Sequence, residues 1–171
     1  MRRHTPDAFD TAVQKGNIWL KDIEQAGKLR SRFQAYAALR SVLHALRDCL
    51  PPAEAVKFSA QMPLLVKGVF FDGWKISPKP TRMNHADFNA SIRHGLKDES
   101  GVEPEAALKA VLSAMCRHIS PSVLDTIEPV LPREVHAVVH ATLAGIRAEA
   151  VVKTAAVSDW QSSEMGGPFG E

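Results

Sequence analysis

Cysteine is scarce in this chain: Cys49 and Cys116 are the two among 171 residues, too few for a disulfide framework. Long apolar runs are missing as well. No stretch approaches the roughly 20 consecutive apolar residues that a membrane helix requires, so no membrane partner is expected. The opening Met1-Arg2-Arg3-His4-Thr5-Pro6-Asp7 has no apolar stretch behind its arginines. No secretory signal is read there, and the expected compartment is the cytoplasm. No segment alternates apolar and polar residues with period two, which argues against a sheet. Neither GxGxxG nor GxxxxGKS is present, so no standard nucleotide cradle is expected. Charge of one sign does not dominate either. The formal net charge is +2, too small by itself to argue for nucleic acid.

What is present is enough apolar content, 45% of residues, to build a core over most of the length. The charge is unevenly placed. Residues 1–86 carry 14 Lys and Arg against 7 Asp and Glu, whereas the remainder carries 7 against 12. This reads as complementary fields between two halves or two copies, with attraction of an anionic partner as the second reading.

Helical spacing runs through the chain. Thr5-Pro6-Asp7 reads as a cap, a proline at the first helical position and an early acid. Phe9, Val13, Gly16, Trp19, Leu20 and Ile23 form the expected apolar face of a first helix ending at Gly27. Tyr36, Leu39, Val42, Leu43, Leu46 and Leu50 point inward from a second, stopped by Pro51-Pro52. Short helices follow, carrying Ala55 and Phe58, then Leu65, Val66, Val69 and Phe70. Residues 72–83 hold Gly73, Pro78 and Pro80 without any period and read as a linker. Asn84 caps the next helix with Asp87 in capping-box position, and Phe88, Ile92 and Leu96 supply its apolar face. Pro104, Pro121 and Pro132 open three more, the last running to about Val157.

A shift of the chain by 69 positions sets Ala38 on Ala107. Without a gap, Leu39, Val42, Leu43, Pro52, Pro63, Val66 and Val69 then meet Leu108, Val111, Leu112, Pro121, Pro132, Val135 and Val138. The matches are core faces and helix-breaking prolines, the positions a shared backbone constrains most. The expected fold is therefore all-α: seven or eight helices in two pseudo-equivalent repeats packed as one compact domain, plus an irregular tail. The expected bounds are 5–74 for the first repeat, 75–83 for the linker, 84–157 for the second repeat and 158–171 for the tail.

Three blocks carry a family likeness. Ala38-Leu39-Arg40-Ser41-Val42-Leu43-His44-Ala45-Leu46-Arg47-Asp48 with Leu50-Pro51 is one. Leu64-Leu65-Val66-Lys67-Gly68-Val69-Phe70-Phe71-Asp72-Gly73-Trp74 is the second, and Arg117-His118-Ile119-Ser120-Pro121 the third. Together, over roughly residues 8–145, they resemble the bacterial domain of unknown function 2267 (DUF2267) family. The resemblance implies an all-helical, repeat-containing cytoplasmic protein and brings no catalytic residue, cofactor or substrate.

Candidate chemistry is sparse. His136 and His140 stand four apart on the last helix and share a face, a spacing that suits two imidazoles on one metal ion. A third ligand would have to come from elsewhere, with His94 or Glu134 as candidates, and HExxH is absent. The pair reads as solvated or partner-facing, and no metal or cofactor is assigned. Cys49 and Cys116 read as small buried hydrophobes. His118 is two residues from Cys116, so on a helix the two point apart and no nucleophilic pair forms. Lys28, Arg30 and Arg32, with Arg40 and Arg47 two helical turns apart, read as a solvated basic face, with phosphate or nucleic-acid binding as the lesser alternative. Trp74 is expected to fold back onto the core.

The tail from Ser158 to Glu171 is rich in Gly and Ser, is not expected to be helical, and yet carries Trp160, Met165 and Phe169. Such anchors on a flexible segment suit docking to another protein. The expected function is a non-enzymatic interaction module: an adaptor, assembly subunit or cargo-like component, with another protein or a second copy as partner. The alternatives are a metal-binding helical protein using His136 and His140, and a nucleic-acid-associated factor.

Overall fold

The computed structural model describes residues 7–77, 81–97 and 101–164, with side chains as far as residue 156. The expected Thr5 cap and Pro78 of the linker lie outside the described residues. The elements are all helical: α1 (Asp7–Gly27), α2 (Arg32–Cys49), α3 (Pro52–Ser59), α4 (Leu64–Phe71), α5 (His85–Leu96), α6 (Pro104–His118), α7 (Pro121–Ile127), a 3-10 turn (Glu128–Val130) and α8 (Arg133–Glu164). No strand occurs among the described residues.

Local chemistry explains most boundaries. Prolines open α3, α6 and α7, where a missing N–H costs nothing. Asn84 and Asp87 form the capping box of α5: the Asn84 side chain accepts from the Asp87 amide at 2.8 Å, and the Asp87 carboxylate accepts from the Asn84 amide at 3.4 Å. Ser31 caps α2 by accepting from Gln34 N.

One continuous core joins all the helices. Trp19, Ile23, Leu43, Phe58, Phe70, Phe88, Ile92, Leu108, Leu112 and Leu143 belong to one buried cluster. The most extensive packing sets α1 on α6 and α2 on α5. These crossings are close. A methyl added at Gly95 on α5 would lie 2.7 Å from Ser41 Oγ and 3.1 Å from Ser41 Cα on α2. One added at Gly27 would lie 3.0 Å from Ala110 Cβ on α6. Residues expected inward are not all so: Phe9, Val13 and Tyr36 are exposed. In α2 the inward place is taken by Ala35, and the next residue is turned about 100° away.

Two further expectations change. The tail is not irregular from Ser158, because α8 continues through Glu164. Ala144 to Val157 contains one glycine and no proline, and an established helix extends through Ser and Asp at little cost. No ion pair between the halves follows the sense of their net charges among the described residues. Among the described residues, the ion pairs that join α1 to α6 run from Asp22 to Arg117 and His118, opposite in sense to the net charge of each half.

Candidate functional site

Two of the family-like blocks, the one ending at Leu50-Pro51 and the one ending at Trp74, meet at the end of α4. A cavity of about 250 Å³ there is lined by Arg47, Asp48, Leu50, Gly73, Trp74, Lys75, Ser77 and Thr81. Arg47 is 5% exposed, which corrects its expected place on a solvated basic face. Its Nε donates to Asp48 Oδ1 at 2.8 Å, and its Nη1 donates to the carbonyls of Phe70 and Asp72 at 2.9 and 3.1 Å. Its guanidinium lies 5.8 Å from the Trp74 ring centre. His44 Nε2 meets the Val69 carbonyl at 2.7 Å. A cation and a ring nitrogen thus serve carbonyls around the C-terminus of α4, where the Val69 carbonyl also accepts the Asp72 amide at 3.4 Å. The chain folds over them through Gly73 at φ +64°, and Trp74 tilts against Phe71 and packs on the core. The signal for Arg47 was available: a charge among Leu43, Leu46 and Leu50 on an inward stripe. What it binds is contributed by backbone 23 and 25 residues away.

Two of the remaining basic residues are paired. Arg40 contacts Asp72 at 3.4 Å, and Arg32 contacts Glu24 at 3.5 Å and Asn17 at 3.1 Å. Lys28 stands at the exposed turn after α1 with φ 49°, and Arg30 donates its amide to Gln34. The five therefore do not make one free cationic face.

Both thiols sit among apolar neighbours. Burial pushes the buried Cys49 up to about 12 and also raises half-buried Cys116, so neither is a poised nucleophile. His118 is drawn away from Cys116: its Nε2 lies 2.6 Å from Asp22 Oδ2, and its ring stacks on Trp19 at 5.2 Å.

His136 and His140 do share a face of α8, with ring centres 5.6 Å apart and planes 17° from parallel. Glu134 is not their neighbour in function, since its carboxylate accepts the amide of His85 at the start of α5. The group that joins them is Glu128 from the 3-10 turn, whose Oε2 lies 2.8 Å from His140 Nδ1. The three offer ligand atoms all within 4.8 Å of one another. Glu128 has no motif spacing to the pair, and only the turn between α7 and α8 brings it there.

The second half of α8 leaves the body. Val135, Val139 and Leu143 are core residues, but residues 147–156 are all exposed. Val151 and Val152 are 69% and 68% exposed. Two ion pairs tie this segment down, Arg147 to Asp125 at 3.0 Å and Glu149 to Lys109 at 2.7 Å. An apolar groove of about 340 Å³ runs beside it, lined by Cys116, Ile119, Pro121, Leu124, Ile146, Arg147, Ala150 and Val151. By length and composition, Arg133–Ala156 is also apolar enough to cross a membrane, although its first turns belong to the core. Trp160 falls within α8 and not in an irregular tail, while Met165 and Phe169 lie outside the described residues.

A family model described as Uncharacterized conserved protein (DUF2267) matches residues 16–138. No curated protein matches the chain.

Proposed function

We propose, for a chain that belongs to the DUF2267 family, the role of a non-enzymatic protein-interaction module whose helical body presents the far half of α8 to a partner protein. The observation that carries this reading is the run of exposed residues from Arg147 to Ala156, with Val151 lining the apolar groove and Val152 exposed next to it in sequence. A helix of 32 residues is about 48 Å long, and holding a bare helical half in water gains little from propensity alone. A partner that covers its valines supplies the burial it lacks, roughly 1.5–3 kcal/mol for each side chain fully covered. Trp160, with Met165 and Phe169 beyond it, extends the set of anchors. A cytoplasmic adaptor, assembly subunit or cargo-like component is the corresponding role.

The body is read as two copies of one unit. Under the shift of 69 residues, α2 and α6 end at Cys49 and His118, α3 and α7 begin at Pro52 and Pro121, and α4 and α8 begin at Leu64 and Arg133. Superposition of residues 35–71 on 104–140 in a crystal structure tests it.

For the docking role, the double variant Val151→Glu/Val152→Glu is compared with the unaltered chain in crosslinking from the native cell. The expected result is an unchanged melting temperature and loss of the crosslinked partner. A large fall in melting temperature makes the segment part of the fold and ends the reading. Binding of the unaltered chain to neutral phosphatidylcholine vesicles, abolished in the variant, would replace a protein partner by a membrane.

A further inference from the structure

We infer that Glu128, His136 and His140 form a binding site for one divalent cation of the zinc type, independent of the docking role of α8. Two imidazoles four residues apart come from the first two turns of α8, and a carboxylate comes from the 3-10 turn that precedes it. Their ligand atoms lie within 4.8 Å of one another. In a tetrahedral zinc site, with bonds of about 2.0–2.2 Å, ligand atoms stand roughly 3.3–3.5 Å apart. Closing around an ion therefore asks His136 to turn inward. It also asks the 2.8 Å contact between His140 Nδ1 and Glu128 Oε2 to open by about half an ångström.

Burial and charge favour an ion here. Glu128 is 6% exposed, and an ionised carboxylate out of water is costly unless a cation or several donors face it. Its side-chain partner is His140. The His140 side chain is 63% exposed, so the site opens to solvent on that side and an ion can enter. Two neutral imidazoles and one carboxylate carry a single negative charge. That donor set suits zinc with a fourth position left to water.

The corresponding turn of the first half carries no such set. Shifted by 69 positions, they fall on Ser59, Lys67 and Phe71. Ser59 is also buried, and it satisfies its hydroxyl on the Val56 carbonyl at 2.8 Å. The first half thus closes the corresponding turn without a carboxylate. A buried Glu with two imidazoles beside it is a departure that the backbone alone does not explain.

The test uses the full chain without a histidine tag, stripped by chelator and titrated with zinc chloride against a fluorescent zinc indicator. One equivalent per chain is expected, with a rise in melting temperature on saturation. His140→Ala, at an exposed position, should weaken binding by more than about tenfold, because losing even an outer partner of a metal ligand costs that much. His136→Ala and Glu128→Gln should do the same, and His85→Ala should not. Absence of saturable one-to-one uptake overturns the site, as does uptake unchanged in the His136→Ala/His140→Ala double variant. Should Glu128→Gln fail to fold, the histidine variants decide the matter alone.

Discussion

Arg47 is a buried cation on the largely apolar stripe of α2. In the sequence it is one of several basic residues at helical spacing. In the fold it is the cation that closes α4, held by two carbonyls and Asp48. Removing it strands those carbonyls and a carboxylate, so Arg47→Ala should cost roughly 3 kcal/mol in chemical denaturation. Arg47→Lys should recover little of that, because an ammonium cannot serve several acceptors in the guanidinium plane. Its neighbour His44 supplies a pH dependence. Burial lowers its pKa below 6.5; the Val69 hydrogen bond and Asp48 oppose this, while Arg47 and Arg40 add to the lowering. The unfolded chain then takes up a proton more readily than the folded one. The stability this group contributes is present above pH 6.5 and lost as pH falls below it. Melting followed from pH 7.5 to 5.0 should decline, and His44→Gln should flatten part of the decline; an identical slope in the variant would assign it to other groups.

Among the elements, the crossing of α2 and α5 is decided by absence of a side chain. Alanine is the better helix former by about 1 kcal/mol, so propensity alone favours Gly95→Ala. The added methyl would meet Ser41 Oγ at 2.7 Å, Cβ at 2.9 Å and Cα at 3.1 Å. A backbone atom cannot swing aside as a side chain does, and overpacking of this kind costs about 1–3 kcal/mol. Gly95→Ala is therefore expected to lower the melting temperature. Gly68→Ala, where a methyl would meet nothing within 4 Å, should leave it equal or slightly higher. Elements also set the limits of the periodicity argument. Prolines, the Asn84 box and the inward leucines were legible in the sequence because capping and stripe burial are local. The continuation of α8 past Ser158 is not legible locally, because Gly and Ser near the end carry loop chemistry while the alanine-rich stretch before them propagates the helix.

At the scale of the molecule, the two halves are interleaved. α1 packs chiefly on α6 and α2 on α5, so each half completes its core with the other. A chain of residues 1–77 should show no cooperative melt by circular dichroism, nor should residues 81–171. Mixing the two should restore helicity and a single transition. A cooperative melt of either half alone would contradict this packing.

The sequence by itself determined the class, the helix starts and most of the apolar residues that face inward, because each rests on interactions within a few residues of one another; Phe9, Val13 and Tyr36, exposed in the fold, mark where that local argument stops. It also determined that His136 and His140 share a face, since helical geometry alone dictates it. Tertiary structure decided which charges are spent and which groups meet. Arg47 reaches carbonyls of Phe70 and Asp72, Asp22 reaches His118 from 96 residues away, and Glu128 arrives beside His140 through a turn that carries no motif. Such meetings depend on how helices cross, and crossings are chosen by the whole set of side chains that must fit between them.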